Sequence, residues 1–391
     1  MLRFFVFFFV LIIFSCCNKE LHSDFFKSIV PVLPKEAQSN YTFKLLDSLK
    51  LVNTDTICFR PSIKSFYKDS LLYYLCDNKI IKYNVKKEEI SEVNLPLKFN
   101  GFVVAIDVIG LDSLYVLQSM PTKLFFIDIN AGKYKVTELP KINFETDNNF
   151  FNARAAVLDY SSVNYNLDFN NLKFDKFGNQ MHIGVTPYDA DVLDGFEKTN
   201  RIGVYDIKLN RWVKIYASPK GVYSFRGSFT FGKNTLSSKN ILFKGDSTFV
   251  AYPVNHTIQL YIKKQFFKNI NFTSKHSKSI QMPLELEEAN KIETNKKLLS
   301  STAYYKGVFY HEKVAVYSRI YFNEQESFNN KGLYNGTSKR DRYVVFKDKN
   351  FNYVGEFKLP NTYNFVLNTA DGFYIFKDNY KTKLEYKIIK K

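Results

Sequence analysis

The chain has 391 residues, of which 45% are hydrophobic and 17% aromatic, and this composition excludes an intrinsically disordered chain. Its formal net charge of +17 is compatible with binding to nucleic acid or to an anionic membrane, but most of the basic residues are lysines spread singly or in pairs, apart from Lys387, Lys390 and Lys391 at the end. The length fits two average domains or one large all-β domain built from repeated units.

The first 17 residues have the features of a lipoprotein signal peptide. Arg3 supplies a positive charge, and the stretch Phe4–Phe14 is uninterruptedly apolar. This stretch has the length of a signal peptide and is too short to cross a bilayer as a stable helix. The sequence Ile13-Phe14-Ser15-Cys16-Cys17 then resembles a lipobox, in which a cysteine is lipidated and becomes the new N-terminus.

Cys16 is the predicted lipidation site, because Ile13 and Ser15 provide the branched apolar residue and the small residue of a lipobox. Cys17 is the alternative, with Cys16 as the small residue before the cleavage. Several acyl chains on one cysteine give stable membrane anchoring. We therefore expect an exported protein held by lipid in the cell envelope, in the outer membrane, on its periplasmic face or at the cell surface.

Residues 18–40 contain Pro31 and Pro34 and a polar tail, and we expect them to form a flexible tether. Residues 41–391 are expected to form one domain. Its two cysteines, Cys58 and Cys76, lie in apolar strand-like stretches. Export permits a disulfide bond between them, but buried thiols are common in such stretches, so we predict two free buried cysteines.

An imperfect repeat follows the tether and predicts the architecture. Polar turn residues such as Asn130-Ala131-Gly132 separate its strands. Two units share the order of an opening strand, a second strand and a closing Leu-Pro pair: Asp69–Tyr73, Lys79–Tyr83 and Leu95-Pro96, then Asp112–Val116, Leu124–Asp128 and Leu139-Pro140. Later strands keep this pattern: Met181–Val185, Arg201–Ile207, Thr248–Ala251, Thr257–Ile262, Val308–Tyr310, Tyr343–Phe346, Phe373–Phe376 and Leu384–Ile389.

Short antiparallel sheets at this period are typical of β-propeller blades, and the pattern gives about six units. The last unit is short of one strand, which Tyr41–Leu51 can supply from the N-terminus to close the ring. The predicted fold is therefore an all-β propeller of six blades closed by an N-terminal strand. An extended β-sandwich array is the alternative.

Three stretches interrupt the repeat: residues 145–170, 186–200 and 275–300. The third contains Pro283–Asn290, whose Glu-rich start and Lys-rich continuation predict a short surface helix. Insertions in repeat proteins tend to gather on one face, which is often the binding face.

The C-terminal third contains four stretches in an order that resembles a known family: Ala315–Tyr321, Phe346–Glu356, Leu359-Pro360 and Asp371–Ile375. The family is that of Bacteroides-type lipoproteins with a domain of unknown function, family 4221. The resemblance covers residues 41–391 in general layout, and it implies a six-bladed TolB-like propeller with a lipid anchor. The family has no established activity, so the resemblance implies a fold and a location without a reaction.

An acidic loop provides the candidate metal ligands Asp189, Asp191 and Asp194, with Gly195 and Glu197 nearby. Hard cations such as Ca²⁺ need several oxygen ligands at once. The spacing departs from that of an EF-hand, because the third acidic residue stands one position late. A solvated acidic loop is the favoured interpretation, and no cofactor is expected.

Candidate catalytic residues are sparse. The five histidines are scattered without zinc-site spacing, and the chain lacks a G-x-S-x-G nucleophile elbow and a phosphate-binding glycine loop. His311 and Glu312 follow a strand and, with Arg319, are candidate residues of a propeller channel. Glycosidase chemistry needs two carboxylates at a set separation, which a sequence does not reveal.

A clear export signal without catalytic motifs favours a non-enzymatic binding or scaffold module for a protein, peptide or glycan. The alternative is an extracellular polysaccharide hydrolase or lyase with its site in the propeller channel, since fold does not determine function. A third hypothesis is a structural partner in an envelope complex. We expect a monomer that contacts the membrane through its lipid and does not bind nucleic acid.

Overall fold

The structure is a computed structural model of the chain. It describes residues 32–34 and 41–391, except for 51–64, 69–70, 77–78, 96–98, 100–101, 111, 120–122, 141, 147–148, 155–171, 176–177, 188–200, 217–228, 231–239, 278–283, 286–290, 292, 295–296, 298–300, 334, 336–339, 361–362, 364 and 378–381.

Six of the antiparallel sheets formed by the described residues are arranged as the blades of a propeller. The first strands of blades 1 to 5 lie next to one another, which places them around the central axis. The strands of blades 1 to 3 are β2 (Ser65–Lys68), β3 (Leu71–Cys76), β4 (Lys79–Asn84) and β5 (Glu89–Asn94); β6 (Phe102–Val108), β7 (Ser113–Ser119), β8 (Lys123–Asp128) and β9 (Lys133–Glu138); and β12 (Leu172–Asp175), β13 (Gln180–Pro187), β14 (Arg201–Asp206) and β15 (Arg211–Tyr216).

Blades 4 to 6 follow the same scheme. Their strands are β17 (Asn240–Lys244), β18 (Ser247–Ala251), β19 (Thr257–Ile262) and β20 (Gln265–Asn271); β22 (Tyr304–His311), β23 (Val316–Phe322), β24 (Arg342–Asp348) and β25 (Tyr353–Lys358); and β26 (Phe365–Asn368), β27 (Gly372–Lys377), β28 (Thr382–Lys390) and β1 (Tyr41–Lys50).

The N-terminal strand closes the ring, as predicted. Strand β1 pairs antiparallel with β28, from Tyr41 opposite Lys390 to Lys50 opposite Thr382, and so becomes the outer strand of blade 6. Residues from the two ends of the chain therefore share one sheet. The prediction of a six-bladed propeller is confirmed, and the extended β-sandwich array is rejected.

Apolar layers between neighbouring blades form the core. Tyr73 and Ile80 of blade 1 lie in one buried cluster with Ile106 and Val116 of blade 2. At the closing seam, a second cluster joins residues of blade 1 with Phe376 of blade 6. Each such side chain contributes about 1.5–3 kcal/mol through its removal from water. Burial of the strands between neighbouring blades thus holds the ring together, and all seven residues of β23 are buried.

Two insertions have defined structure in their described parts. The strands β10 (Ile142–Thr146) and β11 (Asn149–Arg154) form a hairpin that pairs with β13 of blade 3. Between blades 3 and 5, β16 (Phe229–Thr230) pairs with β21 (Leu284–Glu285).

The surface helix was predicted at the wrong position. Leu284–Glu285, at its predicted start, is strand β21, and helical backbone is found instead at Glu293, Thr294, Lys297 and Ser301. Pairing with β16 holds Leu284 and Glu285 in an extended strand, which overrides the helical pattern at these two residues. No helix among the described residues is long and apolar enough to span a membrane.

The prediction of two free cysteines is wrong for Cys76, which forms a disulfide bond. Its side chain is buried at the end of β3, as expected for an apolar strand. The other three cysteines of the chain, Cys16, Cys17 and Cys58, lie outside the described residues.

Candidate functional site

The connections between strands lie at the two ends of the ring. Because successive strands of a blade run in opposite directions, the second-to-third strand connections lie at the same end as the links between blades. We call this end the loop face. On blades 4 and 5, its segments are residues 252–256, 272–277, 301–303 and 323–341, of which 334 and 336–339 lie outside the described residues.

The longest of these segments, residues 323–341, joins β23 to β24, and we call it the arm. At its base, the Asn323 amide donates a hydrogen bond to the Asp341 carbonyl at 2.9 Å. Further out, the Asn335 amide donates to the Ser327 carbonyl at 2.9 Å. These hydrogen bonds therefore join the described parts of the two sides of the arm.

The tip of the arm is a compact turn with exposed apolar side chains. The Asn329 carboxamide oxygen accepts hydrogen bonds from the amides of Lys331 at 2.8 Å and Leu333 at 3.0 Å. Phe328 is 43% exposed and Leu333 is 62% exposed. The turn thus presents two large apolar side chains on a backbone fixed by its own hydrogen bonds.

The base of the arm contains stacked aromatic rings and a buried ammonium group. The rings of Tyr304 and Phe322 stack with centroids 4.5 Å apart. The Lys306 Nζ lies 4.8 Å from the Phe322 centroid, and this lysine is buried. A cation over the face of a ring is stabilised by the ring quadrupole, more strongly when water is excluded.

Two buried arginines complete this base. The Arg340 Nη1 donates to the Thr302 carbonyl at 2.7 Å, which fastens the arm to the link between blades 4 and 5. The Arg342 guanidinium lies 4.5 Å from the Tyr363 ring centroid, toward blade 6. Burial lowers the pKa of the Arg340 guanidinium from its usual value. Buried cationic and aromatic side chains therefore hold the base of the arm in place.

A third buried arginine fixes the neighbouring loop of blade 4. Arg319, on β23, donates from Nη1 to the Asn255 carbonyl at 2.8 Å and from Nη2 to the Tyr252 carbonyl at 2.6 Å. Its guanidinium also lies 4.2 Å from the Tyr305 ring centroid. One side chain thus holds the loop of residues 252–256 against blade 5.

The Tyr305 hydroxyl joins two loops of the loop face. It lies 2.9 Å from the His256 Nδ1 and 2.6 Å from the Ser277 Oγ. Burial raises the pKa of the Tyr305 hydroxyl to about 12, so it stays protonated at neutral pH. All three side chains are buried, so this network positions loops and presents no reactive group to solvent.

A buried carboxylate anchors the link that leaves blade 4. Glu356 accepts hydrogen bonds from the Ser274 hydroxyl at 2.9 Å and from the Lys275 amide at 2.5 Å. Burial raises the pKa of the Glu356 carboxyl. The His276 ring stacks on Tyr343 with centroids 4.0 Å apart. The loop face of blades 4 and 5 is therefore held by side-chain contacts at several points.

The three candidate channel residues have different surroundings. His311 is buried, with its Nδ1 at 2.7 Å from the Thr369 carbonyl of blade 6 and its Nε2 at 2.7 Å from the Ser318 hydroxyl. Glu312 follows in an exposed turn, at the end of the ring opposite the loop face. Arg319 holds the blade 4 loop. The structure therefore gives His311 and Arg319 contacts between blades.

The candidate metal ligands Asp189, Asp191 and Asp194 and the candidate lipidation sites Cys16 and Cys17 lie outside the described residues. Within the described part of the chain, no three His, Cys, Asp or Glu side chains are grouped so as to hold a metal ion.

Two clefts open between blades. The seam cleft, between blades 6 and 1, has a volume of about 500 Å³ and is lined by the carboxylates of Asp47, Glu88 and Glu385. Lys383 in this cleft pairs with Glu88 at 3.1 Å. A smaller cleft of about 170 Å³ lies between blades 3 and 4, beside Lys264.

These features define a six-bladed β-propeller with one well-fixed loop face. No family model matches the sequence, and no curated protein matches it. Among solved structures, a DUF4221 family member from Bacteroides vulgatus superposes with a TM-score of 0.63 and 14% identity, covering 91% of this chain and 100% of that chain. The chain therefore resembles this family in fold, as its sequence predicts.

Two other solved structures superpose more weakly. A luciferin-regenerating enzyme has a TM-score of 0.41 at 10% identity, covering 84% of this chain and 91% of that chain. The Neurospora crassa Pan2 WD40 domain has a TM-score of 0.40 at 9% identity, covering 83% of this chain and 74% of that chain.

The arm was not predicted from the sequence. Its signal is a polar stretch between two apolar strands that contains Asn329-Asn330-Lys331-Gly332, a composition typical of turns. The buried cations of its base were missed because their burial depends on contacts with residues distant in sequence.

Proposed function

We propose that this protein is a lipid-anchored propeller of the bacterial envelope that binds a partner protein through its loop face, with the arm of blade 5 as the main contact. The observation that carries this proposal is the exposed apolar tip, Phe328 and Leu333, on a hydrogen-bonded turn above a buried base.

A loop that is fixed before binding lowers the free-energy cost of binding. Ordering a loop at an interface takes up part of the free energy gained by contact, so a loop that is already fixed binds more tightly. Binding energy is also concentrated in a few large side chains near the centre of an interface. The tip of the arm combines both properties.

The signal peptide and lipobox support the envelope location. The disulfide bond of Cys76 supports it as well, because disulfide bonds persist in oxidising compartments and are rare in the cytosol.

Site-specific photo-crosslinking in living cells tests this proposal. A photoreactive phenylalanine analogue replaces Phe328 or Leu333, and the matched control carries it at Tyr134, which is 47% exposed on the outer strand β9. We expect one discrete adduct from the arm positions and none from position 134. Equal labelling at all three positions, or no adduct from the arm, would contradict the proposal.

The seam cleft favours one second candidate, a polysaccharide hydrolase or lyase. Such chemistry uses two carboxylates facing one cavity at about 5–10 Å, and this cleft contains three carboxylates. If this function is right, Glu385→Gln abolishes the turnover of an envelope polysaccharide by the purified lipoprotein. Turnover that survives in Glu385→Gln, Glu88→Gln and Asp47→Asn would exclude the cleft as its site.

A further inference from the structure

We propose that the outer edge of blade 4 rests on the anionic phospholipid surface to which the protein is anchored. This inference depends on the lipid anchor proposed above, and it adds which side of the ring faces the membrane. It follows from the shape, the charge and the chain connection of strand β20.

A β-bulge exposes two adjacent aromatic side chains on this edge. In the pairing of β19 with β20, Tyr261 is opposite Phe266 and Leu260 is opposite Lys268, so Phe267 is an extra residue. A bulge breaks the alternation of a strand and can turn a side chain outward. Phe266 is 54% exposed and Phe267 is 59% exposed, although both are large and apolar.

Basic residues surround this aromatic pair. Lys263 and Lys268 are exposed, and the strand Gln265–Asn271 contains no acidic residue. The Lys268 Nζ lies 5.7 Å from the Phe267 ring centroid, which places cation and ring side by side. Ile262, 38% exposed, extends the apolar surface. We call these five residues the edge patch.

The chain connection places the anchor beside the edge patch. The Asn271 Nδ2, at the end of the same strand, donates to the Val32 carbonyl at 2.9 Å. Val32 is 74% exposed and Leu33 is 52% exposed, so the described part of the tether adds apolar surface. Asn271 follows Phe267 by a strand distance of about 13 Å.

The length of chain before Val32 fits a membrane that lies against this edge. The residues between Cys16 and Val32 span at most about 50 Å when extended, so lipid on Cys16 reaches the edge patch with slack. Aromatic side chains favour the headgroup region of a bilayer, and lysines beside them attract anionic lipids. A phospholipid surface is therefore the occupant that matches both the chemistry and the position of the patch.

Tryptophan quenching tests this placement. The full-length lipoprotein is reconstituted into vesicles of phosphatidylethanolamine and phosphatidylglycerol whose acyl chains are partly brominated near the headgroup. Phe267→Trp is compared with Tyr134→Trp on β9 of blade 2 and with Leu46→Trp on β1, the extra residue of another exposed bulge. Trp212, the one tryptophan of the chain, gives the background in each variant.

We expect the tryptophan at position 267 to be quenched at least about twofold more strongly than those at positions 134 and 46. Replacing phosphatidylglycerol with phosphatidylcholine should reduce this difference, because the lysines then lose their anionic partners. Equal quenching at the three positions, or stronger quenching at 46 or 134, would overturn the proposal. If the lipid anchor itself is wrong, none of the variants sediments with the vesicles, which distinguishes the two failures.

Discussion

A group of buried polar side chains in this propeller bonds to backbone carbonyls of a neighbouring blade. Arg319, His311 and Lys383 belong to this group. A buried hydrogen bond contributes only about 0.5–1.5 kcal/mol, whereas a buried polar atom without a partner costs about 1–3 kcal/mol. These contacts therefore specify how the blades fit together.

His182 does not belong to this group of side chains. It is fully buried on β13, and neither ring nitrogen has a hydrogen-bond partner in the part of the chain that the structure describes. The ring packs edge-on against Phe243 of blade 4, with centroids 4.6 Å apart. Burial, followed by the charge of Lys264, lowers the pKa of His182 to about 3.

This environment predicts how stability depends on pH. Burial also lowers the pKa of His311 to about 4. Below an unfolded-state pKa of about 6.5, the unfolded chain binds protons that the folded chain does not, so unfolding becomes easier as the pH falls. We expect the free energy of unfolding to drop by about 2 kcal/mol per histidine between pH 7 and pH 5, measured by urea denaturation.

Substitutions distinguish the contributions of His182 and His311 to stability. His182→Leu should remove its share of this pH dependence and raise the free energy of unfolding at pH 7 by about 1–2 kcal/mol, because two unsatisfied nitrogens are lost. His311→Leu should also remove a share but lower stability at pH 7, because it breaks two hydrogen bonds. Equal losses at pH 7 in both variants would contradict this account of His182.

At the scale of the elements, β1 is joined to two blades. Its backbone pairs with β28 of blade 6, while the Phe43 ring lies 4.5 Å from the Phe346 ring and 5.8 Å from the Phe357 ring of blade 5. The strand therefore closes the ring through both hydrogen bonds and packing.

Phe43→Ala should weaken this closure. Phe43 is half-buried, so the loss of its apolar contacts should lower the free energy of unfolding by about 2 kcal/mol. Leu45→Ala, on the same strand but 47% exposed, is the matched control and should change it by less than about 0.5 kcal/mol. Urea denaturation of both variants measures the difference, and similar losses would show that β1 contributes by pairing alone.

The elements also show how far sequence reasoning extends. The blades were predictable because each repeats apolar strands and polar turns, and the missing strand of blade 6 pointed to Tyr41–Leu51. The helix at Pro283–Asn290 was misplaced because β16, distant in sequence, pairs with Leu284–Glu285. The disulfide of Cys76 was missed because apolar strand residues suit a thiol and a disulfide alike.

At the scale of the whole molecule, two surfaces have separate roles in our proposals. The loop face of blades 4 and 5 presents Phe328 and Leu333 to a partner, while the outer edge of blade 4 presents Phe267 to lipid. The sequence indicated the ring and the anchor. It did not indicate either surface, because exposure of an aromatic residue depends on a bulge or turn that pattern alone does not locate.

The proposed lipid anchor underlies the proposed location and the membrane-facing edge patch. Its direct measurement is mass spectrometry of the N-terminal peptide from protein purified out of the membrane fraction. We predict a chain that begins at Cys16 and carries a diacylglyceryl thioether and an acylated amine. A peptide that begins at a lipidated Cys17 would move the site by one residue and keep the anchor. Unmodified Cys16 and Cys17 in a chain that retains residues 1–15 would contradict the account.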